Sequence, residues 1–352
     1  MNKIQELLDI TIQHEASDLH LLVGYPPMIR IDGELQVAHN TVDLTEEIAQ
    51  EIIFLLFSNE QRDLFLANKE IDFSYSYKGA RFRVNVYYQK GTVAAALRHL
   101  PQKIRTIEEL NLPQICHQFT KLRKGFILVT GPTGHGKTTT LASVLDEINN
   151  TRSVNIITIE DPVEYVYSRK KSIISQRELH SDTHSWNVAL RSILREDPDV
   201  VLIGEMRDYE TIAAALTIAE TGHLVFATLH TNSASQTIDR IVDVFPEKQQ
   251  AQIRLQLSAT LEAVLSQRLL PAIGGGRVPA TELLIATPAV QTGIREGKSH
   301  LMDNIIQTSG DVGMHLLEAS LGRLVKSGII THKTAQEYGM RPEEMMRMIT
   351  PG

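Results

Sequence analysis

Cysteine is nearly absent: Cys116 is the only one in 352 residues. No intrachain disulfide can form and no cysteine cluster can hold zinc or iron and sulfur, which makes the cytosol the natural compartment. Net positive charge is missing as well. The formal net charge is -7, and such a chain does not coat nucleic acid or an anionic membrane through bulk charge. No uninterrupted apolar run approaches the roughly 18 residues of a membrane span. The opening "MNKIQELLDI" is an acid-containing amphipathic start rather than a signal peptide, so direct membrane insertion is not expected. Internal repeats and low-complexity tracts are also absent, which excludes a solenoid. What remains is an ordinary soluble composition, 42% hydrophobic and 22% charged, long enough for two domains with separate cores.

The rhythm of apolar residues divides the chain. Ile4, Leu7, Leu8 and Ile12 have helical spacing. "DLHLLVG" and "MIRIDGEL" are short strand-like runs separated by "YPP", whose prolines would end any helix. "TEEIAQEIIFLLFSNEQRDLFLANKE" returns to helical spacing, with Asn68 and Lys69 near its end. "IDFSYSYKGARFRVNVYYQKG" reads as a hairpin turning at Lys78 and Gly79, with Phe82, Val84 and Val86 on one face and Arg81, Arg83 and Asn85 on the other. This mixture predicts an α+β domain over residues 1–100 and a proline-containing linker over 101–120. From 121 to 287 the pattern is βα alternation. Four apolar runs, "FILVT" (126–130), "VNIITI" (154–159), "VVLI" (200–203) and "LVFATL" (224–229), recur between helical segments, and a glycine loop returns to a last strand. That is the pattern of an α/β parallel sheet covered on both faces. Residues 288–352 read as short helices.

Chemistry concentrates where those four runs end. "GPTGHGKTTT", from Gly131 through Pro132, Thr133, Gly134, His135, Gly136, Lys137, Thr138 and Thr139 to Thr140, satisfies the phosphate-loop pattern G-x-x-x-x-G-K-[ST]. It has a strand before it and an amphipathic helix after it. Glycines let the loop curl so that backbone N–H groups face phosphate oxygens, and the helix N-terminus adds a positive dipole. Lys137 is expected to reach the β and γ phosphates of a nucleoside triphosphate, and the Thr138 hydroxyl to ligate magnesium. His135 occupies a variable position from which its imidazole is expected to donate to phosphate when protonated. The next strand ends in "IEDPVEY", supplying Glu160, Asp161 and Glu164, the third in "IGEMRD", supplying Glu205, and the fourth in "LHT", supplying His230. In a parallel sheet all carboxyl ends lie along one edge, so these residues converge on the loop. The position that would carry a magnesium-shell aspartate after "VVLI" is Gly204, and the acid follows one residue later. Glu205 is therefore expected to orient or deprotonate the attacking water, and the missing metal contact to come from Glu160 or Asp161. His230 is expected to contact the γ phosphate or report its loss. His180 and His184 have a metal-like spacing but no third ligand, so they are read as ordinary surface histidines.

A second feature is local. Between Asp72 and Glu108 there is no acid, but there are seven bases: Lys78, Arg81, Arg83, Lys90, Arg98, Lys103 and Arg105. Three readings compete: a solvated face, a nucleic-acid track, or arginines supplied to the triphosphate of a neighbouring subunit. The net acidity favours a ring of subunits over a nucleic-acid coat.

"GPTGHGKTTT", "ITIEDPVE", "DPDVVLIGEMRD" and "TGHLVFATLHT", in this order, resemble the Walker A, Asp, Walker B and His boxes of the type II/IV secretion ATPase superfamily. Within it the chain is similar to the pilus retraction ATPases, nearly end to end. The resemblance implies a PAS-like N-terminal domain, a RecA-like ATPase core and a homohexamer. It further implies ATP and Mg2+ as ligands, and hydrolysis that withdraws pilin at the pilus base. The implied setting is cytoplasmic, peripheral at the inner membrane through a pilus platform protein, with no stable nucleic-acid partner. By the same resemblance Glu160, Asp161 and Glu164 form the Asp box, His223 and His230 the His box, and Arg81, Arg83 and Arg98 reach nucleotide across a subunit interface. Extension-type members carry a four-cysteine zinc module, which a single cysteine cannot build. One departure is visible: the retraction motif "AIRNLIREGK" is here "AVQTGIREGK", with Gln291 in place of an arginine.

Overall fold

The computed structural model describes residues 3–31, 33–38, 42–100, 103–341 and 345. The chain divides into two compact units, Met1–Lys103 with Pro162–Val166, and Ile104–Asp161 with Tyr167–Gly352. Among the described residues no helix is long and apolar enough to cross a membrane.

In the first unit, β1 (Asp18–Leu21), β2 (Met28–Ile31), β3 (Glu34–Val37), β4 (Glu70–Tyr77), β5 (Ala80–Gln89) and β6 (Thr92–Leu100) form one antiparallel sheet in the order β3-β2-β1-β6-β5-β4. The hairpin between β4 and β5 turns at Lys78 (φ 48) and Gly79 (φ 83). Two consecutive positive φ values give the turn whose twist matches a right-handed strand pair. Along β5 burial alternates: Ala80, Phe82, Val84 and Val86 join the core while Arg81, Arg83 and Asn85 face away. The helical spacing before it resolves into two helices, Glu46–Phe54 and Asn59–Asn68, rather than one. Ser58 is the cause. Its hydroxyl accepts from the Gln61 N–H while the Gln61 side chain accepts from the Ser58 N–H, a reciprocal cap that starts a new helix.

In the second unit, β7 (Gly125–Thr130), β8 (Asn155–Glu160), β9 (Ile173–Glu178), β10 (Val200–Ile203), β11 (Leu224–Leu229), β12 (Leu261–Pro271) and β13 (Arg277–Ile285) form a sheet ordered β13-β12-β7-β11-β10-β8-β9. All neighbours run parallel except β12 and β13. The expected four strands are present, joined by β9 at one edge and by the long β12, which sits beside the phosphate-loop strand. Every residue of β7, β10 and β11 is buried. Phe126 and Leu128 enter one core cluster and Ile127 and Val129 the other, so the sheet is covered on both faces. The expected linker is largely part of this unit: Ile107, Leu112, Cys116 and Phe119 are buried in the second cluster. Pro101 and Gln102 lie outside the described residues. Burial pushes the Cys116 thiol up to about 12, which leaves it a packing residue. Helices Pro288–Arg295, Met302–Thr308, Leu317–Lys326 and His332–Tyr338 follow. The rest of the predicted C-terminal region, from 342 apart from Met345, lies outside the described residues.

Candidate active site

The loop from Gly131 to Gly136 joins β7 to the helix Lys137–Thr151. Gly131 (φ 141), Gly134 (φ 79) and Gly136 (φ 81) all take conformations that favour glycine. Lys137 is buried, and its ammonium donates to the carbonyls of Gly131 at 2.8 Å and Pro132 at 3.0 Å. The lysine thus lies back along the concave side of the loop. Thr138 and Thr139 are half-buried in the first helical turn.

Behind the loop stands β12, which pattern reading missed. Gln267, itself buried, donates from Nε2 to the His135 carbonyl at 2.8 Å and accepts at Oε1 from the Thr140 hydroxyl at 2.7 Å. The Leu269 N–H donates to His135 Nδ1 at 2.9 Å. The expectation that a protonated imidazole donates to phosphate is therefore narrowed to a neutral ring whose proton is on Nε2. Its Nδ1 is an acceptor bound to β12, and burial, with Arg268, Lys137 and Arg277 nearby, holds its pKa below the ordinary 6.5. Gln267 was hard to foresee because it stands in the polar triplet Ser266–Gln267–Arg268, which breaks the apolar run and carries no motif.

At the carboxyl ends of β10 and β11, Glu205 and His230 meet. His230 Nε2 stands 3.3 Å from Glu205 Oε2, and its Nδ1 lies 3.3 Å from the Thr133 hydroxyl and 3.5 Å from Lys137 Nζ. An ammonium can only donate, so Nδ1 is the acceptor and Nε2 carries the proton toward the carboxylate. Arg207 forms an ion pair with the other Glu205 oxygen. Position 204 is tight: a Cβ at Gly204 would lie 3.1 Å from the Ile159 carbonyl and 3.2 Å from Glu160 Cα. Glu160, at the end of β8, is buried and accepts from the Thr158 hydroxyl at 2.7 Å and Gln176 Nε2 at 3.2 Å. Asp161 follows it, half-buried. Among the described residues, no group of three or more His, Cys, Asp or Glu side chains is placed to hold a metal alone, His180 and His184 included.

Within the second unit, one expected member is not brought to this edge. His223 precedes β11 at its amino end, where its carbonyl accepts from the Gly125 N–H. Six strand residues separate it from His230, about 20 Å at the rise of a β-strand. Its ring instead bonds the Ile218 carbonyl at 3.1 Å and the Thr221 hydroxyl at 3.0 Å. Glu164 lies in Pro162–Val166, within the first unit. In that unit Arg81 donates to the Val163 carbonyl at 2.9 Å and the Ser74 hydroxyl at 2.6 Å. Arg83 pairs with Asp72 at 2.6 Å, Arg98 with Asp18 at 3.1 Å and Lys78 with Asp9 at 2.8 Å. The acid-free stretch of sequence is thus met by acids from other strands and a helix, which pair with three of its seven bases.

A mixed sheet with a phosphate loop on an interior strand, and a histidine and carboxylate at the ends of the next two, defines a nucleotide-handling P-loop core. The chain belongs to the type II/IV secretion system protein family, whose model matches residues 2–304. It is 49% identical over 341 residues to the type IV pilus retraction ATPase PilT of Pseudomonas aeruginosa, covering 97% of this chain and 99% of that one. Identity to the type IV pilus ATPase PilU of the same organism is 36%, covering 99% and 92%. The crystal structure of the pilus retraction motor PilT with bound ADP superimposes with a TM-score of 0.92 at 48% identity, covering 98% of this chain and 99% of that one.

The His135 bond to Leu269 has a pH signature. The native pKa is depressed, so the unfolded chain takes up a proton first as pH falls below 6.5. The bond's contribution is therefore present above that pH and is lost as pH falls toward the native pKa. His135→Ser is expected to lower stability at pH 8 by about 1 kcal/mol, the net worth of one hydrogen bond, to reduce the acid sensitivity of unfolding, and to leave hydrolysis nearly unchanged. Denaturant titrations at pH 8 and 5.5 with a phosphate-release assay check this; a folded but inactive variant would contradict it.

Proposed function

We propose that the chain is a motor ATPase that hydrolyses ATP to ADP and phosphate and uses the energy to retract type IV pili. The observation that carries the reading is the connected group Lys137, Thr133, His230 and Glu205 at one sheet edge. It fits a triphosphate along the loop, with a water between its γ phosphorus and the Glu205 carboxylate. Lys137 then leaves the loop carbonyls for the β and γ phosphates. Glu205 accepts hydrogen from the water as its oxygen bonds phosphorus and the bridging bond to the β phosphate breaks. His230, between Glu205 and the loop tip, is placed to follow loss of the γ phosphate. Backbone N–H groups of residues 133–139, that of His135 included, cradle the phosphates.

The residues fit Mg2+, which commonly takes one or two protein ligands and completes its shell from phosphates and water. Thr138 would hold it, with Glu160 or Asp161 in its shell. When bound, it would offset charge on the β and γ phosphates. The reading extends to a homohexamer in which Arg81, Arg83 or Arg98 exchanges its present partner for a neighbour's nucleotide, and to a cytoplasmic ring docked on an inner-membrane platform protein. Glu164 and His223 are assigned to such intersubunit or structural roles rather than to the protomer's own phosphate site. A nucleic-acid translocase is less well supported, because Asp9, Asp18 and Asp72 pair with three of the seven bases of the basic stretch.

Deletion of the gene in its piliated host tests the reading. Hyperpiliated cells that no longer twitch are expected, and bald cells would overturn it. ATPase activity that rises steeply with DNA or RNA at low salt would favour the translocase.

A further inference from the structure

The C-terminal end of the described chain is fixed by buried charge. The Arg341 guanidinium donates to Glu318 Oε2 at 2.9 Å and to Asp303 Oδ2, and lies 3.7 Å from Glu282 Oε2. Glu318 and Glu282 are almost completely buried. The second Glu318 oxygen accepts the backbone N–H groups of Met340 and Arg341, both at 2.9 Å. Three carboxyl groups thus surround one guanidinium, and Glu282 Oε2 has no hydrogen-bond partner among the described residues. Burial holds the Glu282 carboxyl above the ordinary carboxylate range. Such a cluster is a poor source of net stability compared with apolar packing, but it tolerates only one arrangement, because removing a partner strands a buried charge.

Two connections lead from this cluster to the nucleotide site. Arg268 donates from Nη1 to the Tyr338 carbonyl at 3.1 Å. Arg268 stands between Gln267 and Leu269, the two β12 residues that hold His135, and the Tyr338 ring centroid lies 6.5 Å from that of His135. The second connection runs through Glu282, whose Oε1 accepts the Ala234 N–H at 2.8 Å. Ala234 begins the helix Ala234–Asp243, four residues after His230. The same cluster therefore borders the strand behind the phosphate loop and the helix that follows the histidine contacting Glu205.

We propose that Tyr338–Arg341 is a latch on the nucleotide site, with Arg341 and Arg268 as positioning residues that hold β12 and the helix after His230 in one arrangement and thereby set nucleotide affinity. The inference rests on the ATPase reading. It concerns affinity more than the chemical step, because Arg268 stands on the loop wall itself, whereas Glu205 is reached only through the helix start at Ala234 and His230. The segment also gives the site a handle far along the chain: anything that lifts residues 338–341 from the cluster loosens the loop wall.

The test uses the full-length, assembled protein and a fluorescent ADP analogue. Arg268→Met removes the donor to Tyr338, Arg268→Lys restores one, and Arg341→Lys keeps the charge while losing the planar fork shared by Glu318 and Asp303. Arg268→Met and Arg341→Lys are expected to weaken analogue binding and raise the ATP KM by about three- to tenfold, with kcat within about twofold, as for substitutions along a coupled network. Arg268→Lys is expected to bind within about twofold of the parent. If Arg341→Lys does not fold, Arg268→Met decides the matter, since it leaves the buried cluster whole. A folded Arg268→Met that binds the analogue as tightly as the parent, whatever its melting temperature, overturns the latch. A parent protein that binds no analogue overturns the ATPase reading itself.

Discussion

Glu205→Gln is expected to lower ATP hydrolysis by about 100-fold or more, the usual scale for losing a positioned general base, while ADP and ATP still bind. The substitution keeps the size of the side chain and one acceptor oxygen, but it removes the negative charge. His230 then faces a neutral amide through its Nε2–H, and Arg207 loses its ion-pair partner. A water near the γ phosphate would have no group to take its proton. Binding is expected to survive because the loop wall, Lys137 and the helix start are untouched. Phosphate release and nucleotide titration on the same preparation separate the two effects. Hydrolysis at the parent rate would sink the assignment of Glu205, and lost binding would show that it holds the loop rather than the water.

The sequence made the central parallel strands legible because burial on both faces leaves continuous apolar runs, and it made the phosphate loop legible because glycines and Lys137 have few other reasons to stand together. What it concealed has a common physical cause. β12 contains Ser266, Gln267 and Arg268, polar residues that interrupt the apolar pattern because their partners come from elsewhere: Thr130, the phosphate loop and Tyr338. β9 reads "IISQRE" and pairs only with β8, so no two-sided core marks it. Charge was misleading in the same way. Arg83 and Arg98 are far in sequence from any acid that neutralises them except Asp72, and sheet pairing brings Asp18 beside Arg98. His223 shows the limit of reading a box as a unit, since a strand carries its two ends to opposite edges of the sheet. His135 was noticeable as an imidazole inside a glycine-rich loop, but the direction of its ring depended on β12.

Gly131→Ala is expected to have an effect of similar size by a purely steric route. A Cβ on Gly131 would lie 2.2 Å from the Gln267 carbonyl oxygen, well inside contact distance, so one of the two chains must move by an ångström or more. β12 cannot readily be the one. Ser266 pairs with Thr130 of β7 and Gln267 with Thr281 of β13, so β12 is held on both sides. The loop must yield, and with it the carbonyls that position Lys137 and the N–H groups that face the phosphates. A misplacement of about 1 Å in a site of this kind costs on the order of 100-fold in rate, and weaker nucleotide binding is expected beside it. The positive φ of Gly131 adds strain of about 1–2 kcal/mol for any side chain, which must be separated from the clash. Gly222→Ala provides that control: φ there is 98, nothing lies within 4 Å of the added Cβ, and the turn precedes β11 at the edge away from the loop. Both variants are expected to lose some thermal stability, but only Gly131→Ala is expected to lose nucleotide binding and hydrolysis. Equal activity in the two would mean that the wall formed by β12 yields, and that the loop keeps its shape without it.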